Sequence, residues 1–599
     1  MVCIHALWHK MISSLLGEQV VMTTACKGNE VKPRAAQQPA PSSRPRLHAA
    51  PLLLMARTKG RAAHPALERN FFGGGLPNVD ARWPMGWFQP QPEEAVLRPG
   101  ATSGANYGTA ASPPAASNQR RRSALVVALF SSLGGFLFGV DIGYISGVEV
   151  MASFRDDLNG GKPMDDATMG MITAIFALGA LAAASPPASE ALMRAMSRRG
   201  AIVAGAATFC VGATVQGVSF NVPSVLVGRF VSGASIGVLS TNVPVYMSEL
   251  AAADERGKLV AFYQLAITLG IMIAFWFSFF LQDAPHGWRI SVLAQLLPGG
   301  VLAIGMTGMP LSPCGLVAQK RRGEALKVLQ EIRPEGADID LELREIEAAH
   351  AEETATGEAT WAQFCSGPVA KIGAVGMTSM LLQQLGGMNV FMFYGPRVCE
   401  AIGLSGFLFT AIAGMVNFLA TFPAILLVDR YGRARLLQCS AVGMTVACFG
   451  LAMVGNFAMV CRTAPPGVSQ SEDQCVIESP LAKYTAAGCI FFFIANFAYG
   501  WGPVPWVLCS EIFPMKYRAK GVGLTTSMSW LGTFVIGYFP PMLISSIGFN
   551  TFWVFFAVNI AALGFAFWLP ETRGRSLEQV TAVFYRKFEG GGPSKLVKP

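Results

Sequence analysis

Residues 124–150 read ALVVALFSSLGGFLFGVDIGYISGVEV. A helix of about 20 apolar residues, rising 1.5 Å each, crosses the hydrocarbon layer of a bilayer, and this run is long enough. It is not isolated. Segments of the same character recur near 168–190, 200–220, 223–247, 258–281 and 289–309, then near 370–399, 403–428, 435–458, 481–510, 521–545 and 548–570. Between the two sets of six lies one long polar segment, 312–368, with Lys320, Arg321 and Arg322 and the run Glu342 to Glu347, readable as amphipathic helices on a membrane surface. The pattern predicts an all-α polytopic membrane protein. Two six-helix bundles occupy 123–311 and 369–571, a helical linker 312–368, and a tail 572–599.

Composition agrees and excludes other classes. The chain has 599 residues, 52% hydrophobic and only 14% charged, against roughly 25% charged in soluble domains. Its net charge of +9 is misleading, because residues 1–122 hold fifteen Lys and Arg against six Asp and Glu and so carry all of it. The remainder is neutral, so no nucleic-acid partner is expected. Residues 1–122 are rich in Pro, Ala, Ser, Arg and Gly without a useful hydrophobic period, and are expected to be a disordered basic extension.

Cations orient the spans. Arg120 to Arg122 precede the first; Arg194, Arg198 and Arg199 follow the second; Arg256 and Lys258 follow the fourth. Arg430, Arg433, Arg435, Lys516, Arg518, Lys520, Arg573 and Arg575 join the same side. Short cytoplasmic loops carry excess Lys and Arg, so both termini are expected in the cytoplasm. The halves also echo one another: Glu249 and Arg256 after the fourth span repeat as Glu511 and Arg518 after the tenth, each pair seven residues apart and the copies separated by 262. A duplicated bundle with a site between the halves is a transporter plan.

Two charges sit well inside first-half spans, Asp141 and Arg229. An intramembrane ionisable residue costs several kcal/mol unless paired or hydrated, and so marks function. Span 1 runs outward and span 4 inward. Asp141 then lies roughly 14 Å and Arg229 roughly 9 Å below the outer surface, close enough for contact.

Six motifs carry a resemblance. They are Gly134 to Gly143 (GGFLFGVDIG), Pro244 to Glu249 (PVYMSE) with Arg256-Gly257, Gln383 to Asn389 (QQLGGMN), Asp429 to Arg433 (DRYGR), Gly502 to Trp506 (GPVPW) with Ser510 to Pro514 (SEIFP), and Pro570 to Gly574 (PETRG). In this order the chain resembles the sugar porter family of the major facilitator superfamily across 124–585. The resemblance implies monosaccharide transport by proton symport, with Asp141 and Arg229 as the coupling pair. It also implies a sugar site of Gln264, Gln383, Gln384, Asn389, Asn417 and Trp506, since amides both donate to and accept from hydroxyls and an aromatic face stacks on the ring. Phe136, Phe393, Tyr394, Ser529 and Trp530 are candidate substrate or gate residues. Phe393 stands where the family often has a tyrosine, and Ser529 where an amide is common. Glu249, Arg256, Asp429, Arg433, Glu511 and Arg518 are the expected inner-gate charges, a network across the halves. The first half departs from pattern there, in Met193 to Arg199 and Pro310 to Cys314, so a looser inner gate is expected.

Cys461 and Cys475 share the loop before the tenth span and could pair as a disulfide in an oxidising compartment. No Cys/His cluster has metal spacing, no phosphate loop is present, and no nucleophile and base pair is apparent. No metal, cofactor or enzymatic activity is expected. The partners expected are a monosaccharide, a proton and the lipid bilayer, with a monomer favoured. Plasma membrane is the expected location, with a plastid envelope the alternative. A passive uniporter, or a transporter-like sugar sensor signalling through the N-terminal extension, are the rival functions.

Overall fold

The computed structural model describes residues 118–251, 256–333, 336–357, 360–462, 474–575 and 577–589. The expected extension over 1–122 lies, apart from 118–122, outside them. Among the described residues the fold is helical, with one short antiparallel strand pair, Met459–Arg462 with Gln474–Ile477.

Spans one to six are Leu125–Val148, Asp166–Ala184, Arg198–Gly217, Val222–Leu250, Ala261–Leu281 and Gly287–Met306. Side chains just outside these helices cap their free amides: Asp165 accepts from the Thr168 amide, Ser197 from that of Gly200 and Asn221 from that of Ser224. Among the described residues ten helical stretches are long and apolar enough to cross a bilayer. One of them, Arg518–Trp568, has 51 residues, about twice the length one crossing needs. It folds back through Pro540, Pro541 and Gly548 (φ +56°), giving spans eleven, Arg518–Tyr538, and twelve, Thr551–Trp568. Spans eight to ten are Gly406–Tyr431, Arg433–Ala458 and Pro480–Glu511.

The seventh span, expected near 370–399, is broken and is not among those ten stretches. It comprises Gly367–Leu385 and Met388–Ala401, interrupted where Gly387 takes φ +101°. A side chain at Gly387 would be strained by that backbone and would also press on the Phe555 ring at 2.8 Å. The tenth span breaks at Gly500 to Pro503, since Pro503 donates no amide.

Helix contacts in lipid depend on close approach of small residues rather than on hydrophobic collapse. The first and fifth spans show it: a Cβ at Gly139 would stand only 2.0 Å from the Ile267 carbonyl oxygen. Large apolar side chains such as Leu297, Ile304 and Phe457 remain exposed on the perimeter, as lipid contact requires.

The linker is helical, and its helices pack on each other. Arg322–Ile332 and Ile339–Thr356 turn their apolar faces on each other, burying Leu316, Val317, Ala325, Leu329 and Leu343 in a small separate core. Arg333, almost fully buried, clamps Glu342 through two nitrogens and donates to the Leu250 carbonyl at 2.6 Å and to that of Ala251 at 3.2 Å. A guanidinium there satisfies the unpaired carbonyls ending the fourth span and complements its dipole. The face of the protein carrying this linker is called the linker face below, and the opposite one the distal face.

Candidate functional site

Asp141 and Arg229 meet. A guanidinium nitrogen of Arg229 lies 3.3 Å from Asp141 Oδ2, with the side chains 0% and 1% exposed respectively. The rest of Arg229 is equally committed: Nε donates to the Ile172 carbonyl at 3.0 Å, NH2 to that of Thr173 at 3.0 Å and NH1 to the Tyr144 hydroxyl at 2.8 Å. Its charge also stacks 4.8 Å from the Phe176 ring centre. Tyr144 in turn donates to Gln216 Oε1 at 2.5 Å, and Gln216 Nε2 donates to Ser232 at 3.2 Å. Asp141 Oδ1 has no hydrogen-bond partner. The carboxylate is therefore the less satisfied partner of a buried pair. Tyr144, Thr173, Phe176, Gln216 and Ser232 were not singled out in the sequence. Only their packing around Arg229 makes them part of the cluster.

Around the seventh-span break the amides divide their work. Gln383 Nε2 donates to the Trp501 carbonyl at 2.9 Å and the Gly502 carbonyl at 2.6 Å. These are backbone groups freed where the tenth span breaks, and a spanning segment must find them internal partners. Gln384 instead donates to Ser529 Oγ at 2.9 Å, more weakly to Gln383 Oε1 at 3.3 Å, and accepts from Asn389 Nδ2 at 2.6 Å. The two adjacent glutamines thus touch each other while their amide nitrogens serve different partners. Asn417 is buried; Gln264, Phe136 and Trp506 are half-buried. Trp530 is buried beside Phe138, ring centres 5.2 Å apart, and its Nε1 has no partner.

The distal ends of the halves are sealed. Phe393 is fully buried against Phe176 at 6.0 Å, and the hydroxyl of Tyr394 donates to the Gly537 carbonyl. Arg397 of the seventh span reaches Asp166 of the second at 3.6 Å, and Ser545 donates to the same carboxylate. Gly170 lets the second span touch the Tyr538 backbone, where a Cβ would lie 2.4 Å from the carbonyl oxygen.

On the linker face two of the expected acids, Glu249 and Glu511, each pair with an arginine of their own half. Arg198 donates to Glu249 at 3.0 Å and Arg433 to Glu511 at 2.8 Å; Arg518 reaches the Phe513 carbonyl at 3.3 Å. The side chains of Arg256 and Asp429 lie outside the described residues. A pair that crosses between the halves joins Lys520 to Glu190 at 2.8 Å. Neither was among the expected gate residues. Cys461 and Cys475 are register partners across the strand pair, their side chains lying outside the described residues.

A family model described as "Sugar (and other) transporter" matches residues 127–584. The chain is 33% identical over 497 residues to the probable glucose transporter rco-3 of Neurospora crassa, covering 77% of this chain and 79% of the relative. It is 31% identical over 465 residues to the galactose-proton symporter of Escherichia coli, covering 76% and 93%. Among solved structures, the proton:xylose symporter XylE bound to 6-bromo-6-deoxy-D-glucose shares the fold with a TM-score of 0.64 at 24% identity, over 78% of this chain and 100% of that one.

Proposed function

This chain belongs to the sugar porter family of the major facilitator superfamily, as a multi-pass membrane transporter, and we propose that it carries a monosaccharide, a hexose, together with a proton by alternating access. The observation that carries this reading is the buried Asp141–Arg229 pair at 3.3 Å. Ionised, Asp141 holds Arg229 and the first and fourth spans together. Protonated, it no longer balances the guanidinium, and the cluster of Tyr144, Gln216 and the second-span carbonyls is free to rearrange. A ligand shifts such an equilibrium only by its differential affinity for the two states, so proton and sugar must both favour the rearranging form.

The amides of Gln384, Asn389, Asn417 and Gln264, with Trp506 and the unpartnered Trp530 Nε1, form the sugar site in this reading. Gln383 acts at its edge, because its amide nitrogen is held by the tenth-span break. Phe136, Phe393, Tyr394 and Ser529 border the site and the distal gate. The linker face is cytoplasmic by its cations, the distal face external, and the plasma membrane the location. Relatives named as galactose-proton and arabinose-proton symporters support proton coupling.

The test is proton uptake into proteoliposomes on adding each of a panel of hexoses and pentoses. Asp141→Asn should abolish uphill accumulation while sparing exchange. Uphill uptake that persists in this variant refutes the coupling role.

A further inference from the structure

The mechanism above leaves one buried acid unused. Glu149 lies two turns beyond Asp141 on the first span, about 12 Å along the axis, and is 2% exposed. Among the described residues it forms no ion pair, and its Oε2 has no hydrogen-bond partner. Its Oε1 meets the Thr173 hydroxyl. The charged and titratable groups facing it are Arg229 of the fourth span, Arg397 and Tyr394 of the seventh, and Tyr144 on its own helix. Both cations are already committed, Arg229 to Asp141 and Arg397 to Asp166.

We propose that Glu149 is a second proton-exchanging carboxyl, which must be neutral for the distal face to close. The hydrogen bonds close only for the acid. Thr173 Oγ1 also lies 3.0 Å from the Met169 carbonyl. A protonated Glu149 donates to Thr173, which donates to Met169, and every hydrogen finds an acceptor. Ionised, Glu149 must take the Thr173 hydrogen for itself and still leaves a charged oxygen buried and bare, which costs far more than burying the neutral acid. The proton comes from external water when the seventh span lifts and returns there on reopening. Tyr394, next to Glu149, also lines a cleft of about 280 Å³ on the distal face with Arg397, Glu400 and Ser545. Thr173 ties the new site to the old: its carbonyl holds Arg229 and its hydroxyl holds Glu149.

The inference rests on the transport reading and adds a second titration to it. Its test is sugar exchange by the full chain in proteoliposomes, with equal pH on both faces raised from about 5 to about 9. Wild-type exchange should fall several-fold on the alkaline limb as Asp141 and Glu149 each lose a proton. Glu149→Gln, permanently neutral at this position, should exchange sugar with only the Asp141 step left, so that its limb is shallower and displaced. A Glu149→Gln profile matching wild type overturns the proposal, and so does loss of exchange at every pH with sugar binding intact. Should the glutamine variant not reach the membrane, Glu149→Asp decides: the limb must move, and an unmoved limb overturns it. Failure of the coupling reading is visible separately, as uphill uptake persisting in Asp141→Asn whatever Glu149→Gln shows.

Discussion

Lys520 of the eleventh span stands 2.8 Å from Glu190, just beyond the second, so an ion pair joins the two halves on the linker face. Glu190 is about a third exposed there, which keeps such a pair to about 0.5–1 kcal/mol. Glu190→Gln should therefore loosen linker-face closure about two- to fivefold. Apparent sugar affinity measured in inside-out and right-side-out vesicles reads this as a changed ratio between the two faces. An unchanged ratio means the pair bears no part of the closure.

Arg229 is held by four polar partners besides its aromatic stack, so its removal leaves Asp141 buried and alone. Arg229→Leu should cost about 3–5 kcal/mol, and Asp141→Asn in the same chain should return part of it, since no bare charge remains. Melting temperatures of the single and double variants in detergent form the cycle. Additive losses would show that the two side chains do not interact.

Gln383 and Gln384 should separate stability from recognition. Gln383→Leu strands the Trp501 and Gly502 carbonyls and should destabilise by about 1–3 kcal/mol. Gln384→Ala should weaken sugar binding tenfold or so, about 1.4 kcal/mol, with a smaller loss of melting temperature. Thermal unfolding with and without sugar distinguishes the two effects, and equal behaviour of both variants would contradict this division.

Asp157, outside the spans, accepts from the Trp288 indole at 2.9 Å and from Arg289 Nε at 3.0 Å. Partial burial pushes its carboxyl up, but these bonds and the Arg289 charge outweigh it and hold it below the ordinary carboxylate range. A depressed value means the stabilisation is present above the unfolded carboxylate range, near pH 4, and lost as pH falls through the folded one. The gap in melting temperature between wild type and Asp157→Asn should thus be widest at neutral pH and shrink below about pH 4. A gap constant with pH would remove the ionised carboxylate from the explanation.

Cys461 and Cys475 stand opposite one another in the strand register. Protein isolated from an oxidising compartment without reductant should show two fewer alkylatable thiols than its reduced form. Free alkylation of both positions excludes the pairing.

Much of the architecture was readable from residue order. Span positions, the linker and the Asp141–Arg229 contact follow from hydropathy and from depth along two helices. Glu149 was not readable, because a carboxylate at the end of a span looks like an interfacial group until a neighbouring helix covers it. Lys520 and Glu190 were equally hidden, being ordinary charges flanking spans 330 residues apart. Gln383 was seen as a site residue, yet its bonds to the tenth-span break depend on where Pro503 interrupts a different helix.

By itself the sequence determined that the chain crosses the bilayer, how often, and that Asp141 and Arg229 go inside with it, because hydropathy accumulates residue by residue along one helix. Only the tertiary structure decided which buried groups neutralise one another and which remain bare. That depends on distances between side chains remote in sequence, where an ångström separates a satisfied carboxylate from one that needs a proton.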